Sequence, residues 1–313
     1  MDSLVSAIIT TCRRSPAYVA RALESVMAQT YPRIQIIVVD DSPADYPEKE
    51  DVRRIVRDLC PRALLLSTGE NRGAPAARNM GIRAAEGEFI AFLDDDDEWL
   101  PEKITDQMAG FTNDHIALVY GDCIVSDDIR HIRYPCKKKC YSGTVYEPLL
   151  RSNFIFSTSI PLMRKTCLEA VGGFDEAMPS AQDYDLYLRF AQRYEIGYVP
   201  KTCVIYHIHD AARISTNLHG KILGQERLIS KYSADLERFP RAWAAKCWLL
   251  VPYYRRTGNT WKALKTWFSA FRKVPFDFHA NVKFFFLALF TPDFPLYRCY
   301  HHLKMTAKKK LLK

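Results

Sequence analysis

The nine cysteines of this chain form no recognisable disulfide or metal pattern. No CxxC occurs, and the number is odd. In a chain of 313 residues, irregular cysteines are typical of reduced intracellular thiols rather than of a disulfide scaffold. Cys136 and Cys140 flank three lysines, but a zinc site would need a second ligand pair at suitable spacing, which the sequence lacks.

Long apolar runs are also missing. The best one is Val282–Phe290, VKFFFLALF, which is too short to cross a bilayer as a helix. The N-terminal stretch MDSLVSAIITT has no basic segment followed by a long apolar one, so we expect no signal peptide. Together with the cysteines, this predicts a protein of the cytoplasm.

The glycine-rich phosphate loops of two large nucleotide-binding classes are absent. No G-x-G-x-x-G follows the first predicted strand, and no G-K-[ST] occurs anywhere. Dinucleotide-binding and P-loop proteins hold phosphate with these loops, so both classes are disfavoured. A nucleotide held mainly by carboxylates and a metal fits the sequence better.

The composition supports a globular protein with an uneven charge. The chain is 48% hydrophobic and 26% charged, with a net charge of +8. Acidic residues concentrate in the first two thirds, whereas the last hundred residues are basic and aromatic and end in MTAKKKLLK. We predict two domains, 1–215 and 216–313, the second helical and able to attach to an anionic surface.

The first two hundred residues alternate between strand and helix patterns. Four runs are predicted to be strands, Leu4–Thr11, Ile34–Asp41, ALLLST at 63–68 and EFIAFLD at 88–94, of which the first two are expected to be buried, with helices between them. This alternation predicts an α/β fold with a parallel sheet. Residues 126–146 are expected to form a hairpin or loop, and IFSTSIPLM at 155–163 another strand.

Three of these predicted strands end in polar residues. The first ends at Thr10-Thr11, the second at Asp40-Asp41, and the fourth at Asp94-Asp95-Asp96-Asp97. Ligands of open parallel sheets bind outside the carboxyl ends of the strands. Carboxylates there suit ribose, base N–H groups and a hard cation that bridges them to phosphate. A solvated acidic loop is the simpler alternative, and Asp97 could cap the next helix.

The sequence resembles family 2 glycosyltransferases of the GT-A fold. Three stretches carry the resemblance in the family's order, VSAIITTCRRSPAYVARALESVMAQTYPRIQIIVVDDS, NRGAPAARNMGIRAAEGEFIAFLDDDDEWLPEK and VGGFDEAMPSAQDYDLYLRFAQR, over about the first 215 residues. The resemblance implies a Rossmann-like, mostly parallel central sheet flanked by helices, here followed by a C-terminal helical region.

The resemblance also implies donor-binding roles. Thr10 and Asp41 would lie against the uridine of a UDP-sugar, and Arg78 near the base or the diphosphate. Asp94 opens the family's DxD element, in which Asp95 would approach the ribose.

Metal and catalytic roles follow from the same resemblance. Asp96 would ligate a divalent cation, Mn²⁺ or Mg²⁺, with His209 as the second ligand and His207 in reserve. Asp183 matches the general base, although a helix cap is its simpler reading. Gln182 stands where the family often has an acidic residue, which leaves Asp183 as the one candidate in that motif.

These features predict an inverting enzyme that moves one sugar from a UDP-sugar to a hydroxyl of a glycan, free or lipid-linked. The Q-x-x-R-W element of processive synthases is absent, which favours transfer of a single sugar. We expect a peripheral position on the cytoplasmic face of the inner membrane and no nucleic-acid partner. The alternatives are a nucleotidyltransferase and a non-catalytic nucleotide- or glycan-binding module.

Residues 216–313 have two possible roles. One is a helical cap packed on the enzyme, with Trp243, Trp248, Trp261 and Trp267 in its core, and the other is a membrane anchor.

Overall fold

The computed structural model describes residues 2–136, 138–209 and 217–289. The chain forms two compact units. The first comprises residues 1–149 and 153–212, and the second residues 150–152 and 213–313. The predicted boundary between residues 215 and 216 lies outside the described residues, so a division at that point stays a prediction.

The first unit contains nine described strands in one sheet. They are β1 (Val5–Thr11), β2 (Ile34–Asp40), β3 (Leu64–Ser67), β4 (Phe89–Asp94), β5 (Glu98–Trp99), β6 (Ile116–Asp127), β7 (Ile132–Pro135), β8 (Leu162–Arg164) and β9 (Glu195–Ile208). The order is β3-β2-β1-β4-β8-β6-β9-β5, and β7 pairs with β6 as a hairpin. The strands β3, β2, β1 and β4 are parallel to one another, as are β6 and β9, while β8 is antiparallel to both of its neighbours.

Helices lie between these strands in the chain. They are α1 (Pro16–Met27), α2 (Lys49–Leu59), α3 (Ala74–Ala84), α4 (Lys103–Met108), α5 (Tyr146–Arg151), α6 (Lys165–Ala170) and α7 (Gln182–Ala191). The alternation confirms the predicted α/β class. It arises because β1, β2 and β4 are apolar and almost completely buried, whereas α1 and α2 bury one stripe only.

The register of the central strands sets the position of the polar strand ends. Thr10 of β1 lies opposite Val39 of β2 on one side and Asp94 of β4 on the other. The carboxyl ends of three parallel strands therefore meet at one edge of the sheet, where ligands of such sheets bind.

The strand predicted at residues 155–163 is mostly wrong. Only its end is regular, because β8 begins at Leu162. Asn153 Oδ1 accepts the backbone N–H groups of Ile155 at 3.1 Å and of Phe156 at 3.2 Å. This local bond competes with strand pairing. It also accompanies a left-handed backbone at Phe156, with φ of 88°.

The second unit is helical in the residues described. Its helices are α8 (Leu218–Lys231), α9 (Ser233–Arg238), α10 (Pro240–Arg256), α11 (Thr260–Lys273) and α12 (Phe278–Leu289). Leu250, Val251 and Tyr254 of α10 pack with Ala263 of α11 and Leu287 of α12. No helix among the described residues is long and apolar enough to cross a membrane.

The core position predicted for one tryptophan of this unit is wrong. Trp243, Trp248 and Trp267 pack against the helical core, but Trp261 is 77% exposed. The α11 helix turns Ala263 and Ala270 inward, two turns apart, and this points Trp261 away from the core.

Candidate active site

Arg78 ties the acidic end of β4 to the start of α7. Its Nη2 donates to Asp94 Oδ1 at 2.6 Å, and its Nη1 to Gln182 Oε1 at 3.3 Å. The guanidinium also lies over the ring of Phe174, 5.3 Å from the centroid. Arg78 is 5% exposed, so these contacts are little screened by water. Arg78 is therefore not a surface residue of α3, and it joins Asp94 to Gln182, the residue before Asp183.

Asp95 and Asp96 share a single guanidinium. Arg14 Nε donates to Asp95 Oδ1 at 3.0 Å, and Arg14 Nη2 to Asp96 Oδ2 at 3.2 Å. Arg21 Nη2 donates to the backbone carbonyl of Asp96 at 2.8 Å. The repulsion expected within the acidic run is thus offset by arginines of the chain itself.

Burial makes the charge on Asp95 costly. Asp95 is 5% exposed, and burial raises its pKa to about 7, with Arg14 opposing the rise and Asp96 adding to it. Near neutral pH its charge therefore depends on the cations around it.

Asp97 has a structural role, but not the predicted one. Its Oδ2 accepts from Ser159 Oγ at 2.6 Å and its Oδ1 from the backbone N–H of His207 at 3.2 Å. The next helix, α4, begins only at Lys103, so a helix cap by Asp97 is wrong. The side chain is fully buried, and it connects the end of β4 to β9.

Asp41 and Thr10 lie at the neighbouring strand ends. The Asp41 carboxylate accepts backbone N–H groups from Arg72 at 3.0 Å and Gly73 at 2.8 Å. These bonds fix the loop that leads into α3, with Asp41 only 2% exposed. Thr10 is half-buried beside Asp94. Both residues are where the sequence predicted them, while their contacts with a nucleotide stay predictions.

Asp183 is partly exposed at the start of α7. Burial raises the pKa of this carboxyl above its ordinary value, and the positive charge of Arg78 opposes the rise. Asn153 Nδ2 donates to Asp183 Oδ2 at 3.4 Å. The simpler role as a helix cap is not what the structure has, because the N-cap residue of α7 is Ala181.

The two histidines near the end of β9 have different carboxylate partners. His209 Nε2 lies 2.9 Å from Asp96 Oδ2. His207 is held at both ring nitrogens, Nδ1 by Asp128 Oδ2 at 2.7 Å and Nε2 by Glu98 Oε1 at 2.6 Å. His207 is therefore a structural bridge between carboxylates, which argues against its reserve role as a ligand.

The donor set fits a divalent cation that is shared with a phosphate. Adjacent ligands of an octahedral ion bound at about 2.1 Å lie about 3 Å apart, which is close to the separation of Asp96 Oδ2 and His209 Nε2. The described residues contain no cluster of three or more such side chains able to hold a metal alone. One or two protein ligands completed by substrate phosphates are the usual arrangement for Mg²⁺.

Sequence reasoning missed several contacts of this site. Arg14 had no predicted role, although it lies only three residues after the end of β1. Nothing in the sequence indicated the roles of Ser159 and Asn153, because their partners are more than 25 residues away in the chain.

The eight described cysteines are free thiols.

Residues 6–172 match the model of the family described as glycosyl transferase family 2. This match covers more than half of the chain. The chain belongs to glycosyl transferase family 2. The enzyme is therefore a glycosyltransferase, and the resemblance found in the sequence is confirmed.

Relatives agree with this assignment. The chain is 29% identical over 279 residues to WcaA of Escherichia coli (strain K12), a protein named as a glycosyl transferase of colanic acid biosynthesis. The match covers 85% of this chain and 93% of WcaA.

Solved structures share the fold. S. aureus TarS in complex with UDP-GlcNAc has a TM-score of 0.59 at 16% identity, over 90% of this chain and 91% of that one. A mannosyltransferase from Pyrobaculum calidifontis in complex with GDP-Man and Mn²⁺ has a TM-score of 0.58 at 20% identity, over 99% and 88%. At these identities the likeness shows the GT-A fold and confirms the predicted fold class.

Proposed function

We propose that this glycosyltransferase moves one sugar from a UDP-sugar to a hydroxyl of a glycan, free or lipid-linked, with inversion and with the help of a divalent metal. We place this reaction in the synthesis of cell-surface polysaccharides or glycoconjugates; WcaA is named for colanic acid biosynthesis. The observation that carries the proposal is the arrangement at one sheet edge. Arg78 connects the aspartate run that would hold the donor to the helix start that bears Asp183.

Asp183 is the proposed general base. An acceptor hydroxyl has a pKa far above 7, so its proton must be taken up as the new bond to the anomeric carbon forms. A carboxylate of raised pKa is a better proton acceptor than an ordinary aspartate, and burial raises the pKa of Asp183. Asn153 would orient this carboxylate through the bond to its Oδ2. A single in-line displacement inverts the anomeric centre and needs no covalent intermediate.

Asp96 and His209 are the proposed metal ligands, and Asp95 lies beside them. A divalent cation held there offsets the negative charge that develops on the leaving diphosphate. Asp41, whose carboxylate is fixed by two backbone N–H groups, would accept from a base N–H group. Thr10 and Asp94 complete the rim of the same edge.

Thermal stabilisation by nucleotide sugars tests this proposal directly. The melting temperature is measured with a panel that includes UDP-GlcNAc and GDP-mannose, each with and without Mn²⁺, since solved relatives of this fold bind both donors. A ligand that binds only the folded state raises the melting temperature. We expect an Mn²⁺-dependent rise with UDP-sugars, absent in Asp96→Asn. A rise with GDP-mannose alone would contradict the choice of nucleotide.

The nucleotidyltransferase alternative predicts a different product. Such an enzyme would release pyrophosphate from a nucleoside triphosphate, whereas a glycosyltransferase releases UDP from a nucleotide sugar. A non-catalytic module would be stabilised by the donor without releasing UDP. Product analysis on the same samples separates these outcomes.

The second unit offers a surface for an anionic membrane. Five aromatic side chains of this unit are exposed, Trp261, Phe268, Phe276, Phe278 and Phe286, with exposures from 52% to 98%. On α11, Trp261 and Phe268 alternate with exposed Lys265 and Arg272 at spacings of three and four residues, which place these four side chains on one side of the helix.

The charge of this unit favours anionic lipid as the occupant. Over residues 217–289, lysine and arginine outnumber acidic residues thirteen to four. Aromatic side chains beside basic ones are typical of helices that lie in the membrane interface. A lipid-linked acceptor would make this attachment useful. The predicted basic tail, MTAKKKLLK, lies outside the described residues.

Sedimentation with vesicles tests the membrane proposal. We expect the protein to sediment with phosphatidylglycerol vesicles but not with phosphatidylcholine vesicles. The double variant Trp261→Ser/Phe268→Ser should sediment less, while Ile129→Ser, which removes an exposed apolar side chain of the first unit, should not change binding. Salt-sensitive binding to DNA or RNA instead would contradict both this proposal and the expectation of no nucleic-acid partner.

A further inference from the structure

Arg14 occupies the carboxylate oxygens that a divalent cation would need. Its guanidinium is 3.0 Å from Asp95 Oδ1 and 3.2 Å from Asp96 Oδ2, and the side chains of Arg14, Asp95 and Asp96 are 15%, 7% and 12% exposed. Ion pairs so far removed from solvent are weakly screened. The arginine is therefore a strong local counter-ion of the acidic run.

We propose that Arg14 competes with the divalent cation for Asp95 and Asp96, and that the diphosphate of the nucleotide draws it away. This inference rests on the proposed metal site at Asp96. It gives Arg14 a positioning role that couples the binding of metal to the binding of donor.

The competition follows from charge. A dication bound at Asp96 Oδ2 would be within a few ångströms of the guanidinium, where like charges repel strongly. The arginine must therefore leave these oxygens before the cation is bound tightly. The loop keeps its shape when this happens, because Arg21 holds the Asp96 carbonyl and Ser159 holds Asp97.

The diphosphate provides the new partner for Arg14. Guanidinium groups bind phosphate oxygens through paired hydrogen bonds, which are stronger than bonds between neutral groups. Arg14 lies in the short segment between β1 and α1, with its guanidinium carbon 5.6 Å from the ring centroid of Tyr18, and so can turn over this ring as it moves. UDP should consequently raise the affinity for metal, and metal the affinity for UDP, by the same factor.

Titration calorimetry of Mn²⁺ into the full chain tests the inference. Titrations are made with and without UDP. Without UDP, we expect Arg14→Gln to bind Mn²⁺ about tenfold more tightly than the unchanged protein. Arg14→Lys, which keeps the charge, should lie between them. The gain in Mn²⁺ affinity caused by UDP should shrink in Arg14→Gln.

The control is Arg13→Gln, which removes the same charge from the neighbouring, exposed residue and should leave Mn²⁺ affinity unchanged. Circular dichroism confirms that each variant is folded. Suppose that the original protein binds Mn²⁺ and that Asp96→Asn abolishes this binding. If Arg14→Gln then binds Mn²⁺ no more tightly than the original protein, the role of Arg14 is overturned and the proposed function is left intact. Absence of Mn²⁺ binding with and without UDP would overturn the metal site and this inference together.

Discussion

At the scale of single residues, the four aspartates of the run lie in three different environments. Asp94 pairs with Arg78, Asp95 and Asp96 share Arg14, and Asp97 is buried under Ser159 and the His207 backbone. The sequence predicted that these residues belong to one strand end and that Asp97 differs from the others. It could not predict their partners, because these come from loops and helices distant in the chain.

Among substitutions that keep the charge, Arg78→Lys should disturb the site most. Arg78→Lys retains one cation but cannot bond Asp94 and Gln182 together, because lysine has no planar fork. We expect UDP release from the donor to fall at least about tenfold and the free energy of unfolding to fall by about 1–3 kcal/mol. Initial rates and urea unfolding measure these effects.

The matched control is Arg83→Lys, an exposed arginine of the same helix, α3. It should leave both quantities unchanged. Equal rates in Arg78→Lys and Arg83→Lys would show that the fork of Arg78 does not position the site.

Lys246 of α10 predicts a pH dependence of the second unit. It is 4% exposed, and burial lowers its pKa from 10.5 to about 7. Between about pH 7 and pH 10 the unfolded chain therefore holds a proton here that the folded chain does not, so stability rises with pH and is lost as the pH falls through 7. Lys246→Met, of similar length, should remove this dependence and raise stability at pH 7.

Tryptophan fluorescence during urea unfolding is a suitable measurement, since four of the five tryptophans lie between residues 243 and 267. Unfolding midpoints are compared at about pH 7 and pH 9. Lys265→Met, at an exposed position of α11, is the control and should retain the pH dependence. An unchanged dependence in Lys246→Met would assign it to another group.

At the scale of elements, continuous apolar runs were the most reliable guide. The strands β1, β2 and β4 were predicted to within a residue at each end, and helices were predicted between them, since the burial pattern is set by the local sequence. The segment 155–163 is equally apolar, yet the Asn153 side chain bonds to its backbone and only three residues pair as β8. Trp261 shows the same limit, because periodicity alone does not say which face of a helix is covered.

Gly87 fixes the entry into β4. A Cβ atom at this position would be 2.6 Å from the backbone nitrogen of Ser6, in β1, and 2.8 Å from the carbonyl oxygen of Leu4, just before β1. These backbone atoms cannot move without disturbing the β1–β4 pairing, so Gly87→Ala should lower the free energy of unfolding by about 2 kcal/mol or more. Urea unfolding followed by circular dichroism tests this.

The exposed neighbour Glu86 supplies the comparison. Glu86→Ala changes one residue of the same turn without a new contact in the sheet and should change stability by less than about 0.5 kcal/mol. If Gly87→Ala is no less stable than Glu86→Ala, the close approach of the backbones does not constrain this turn.

At the scale of the whole molecule, the family was readable because three motifs kept their order over the first unit. The family match ends at residue 172, before α7 and the histidines. The proposed roles of Asp183 and His209 therefore rest on the resemblance of their motifs and on the contacts around them, and that of the second unit on its exposed aromatic and basic residues. Which sugar and which acceptor are used depends on loops whose side chains follow no periodic pattern.

The central claim is that Asp183 is the base of a sugar transfer whose donor is held by the neighbouring carboxylates. The most direct measurement is UDP release by Asp183→Asn from the donor that stabilises the protein, with water as the acceptor and Asp114→Asn, at an exposed position, as the control. We predict that donor binding, seen as thermal stabilisation, is retained while UDP release falls about 10²–10⁴-fold. Release at the rate of Asp114→Asn would contradict the account.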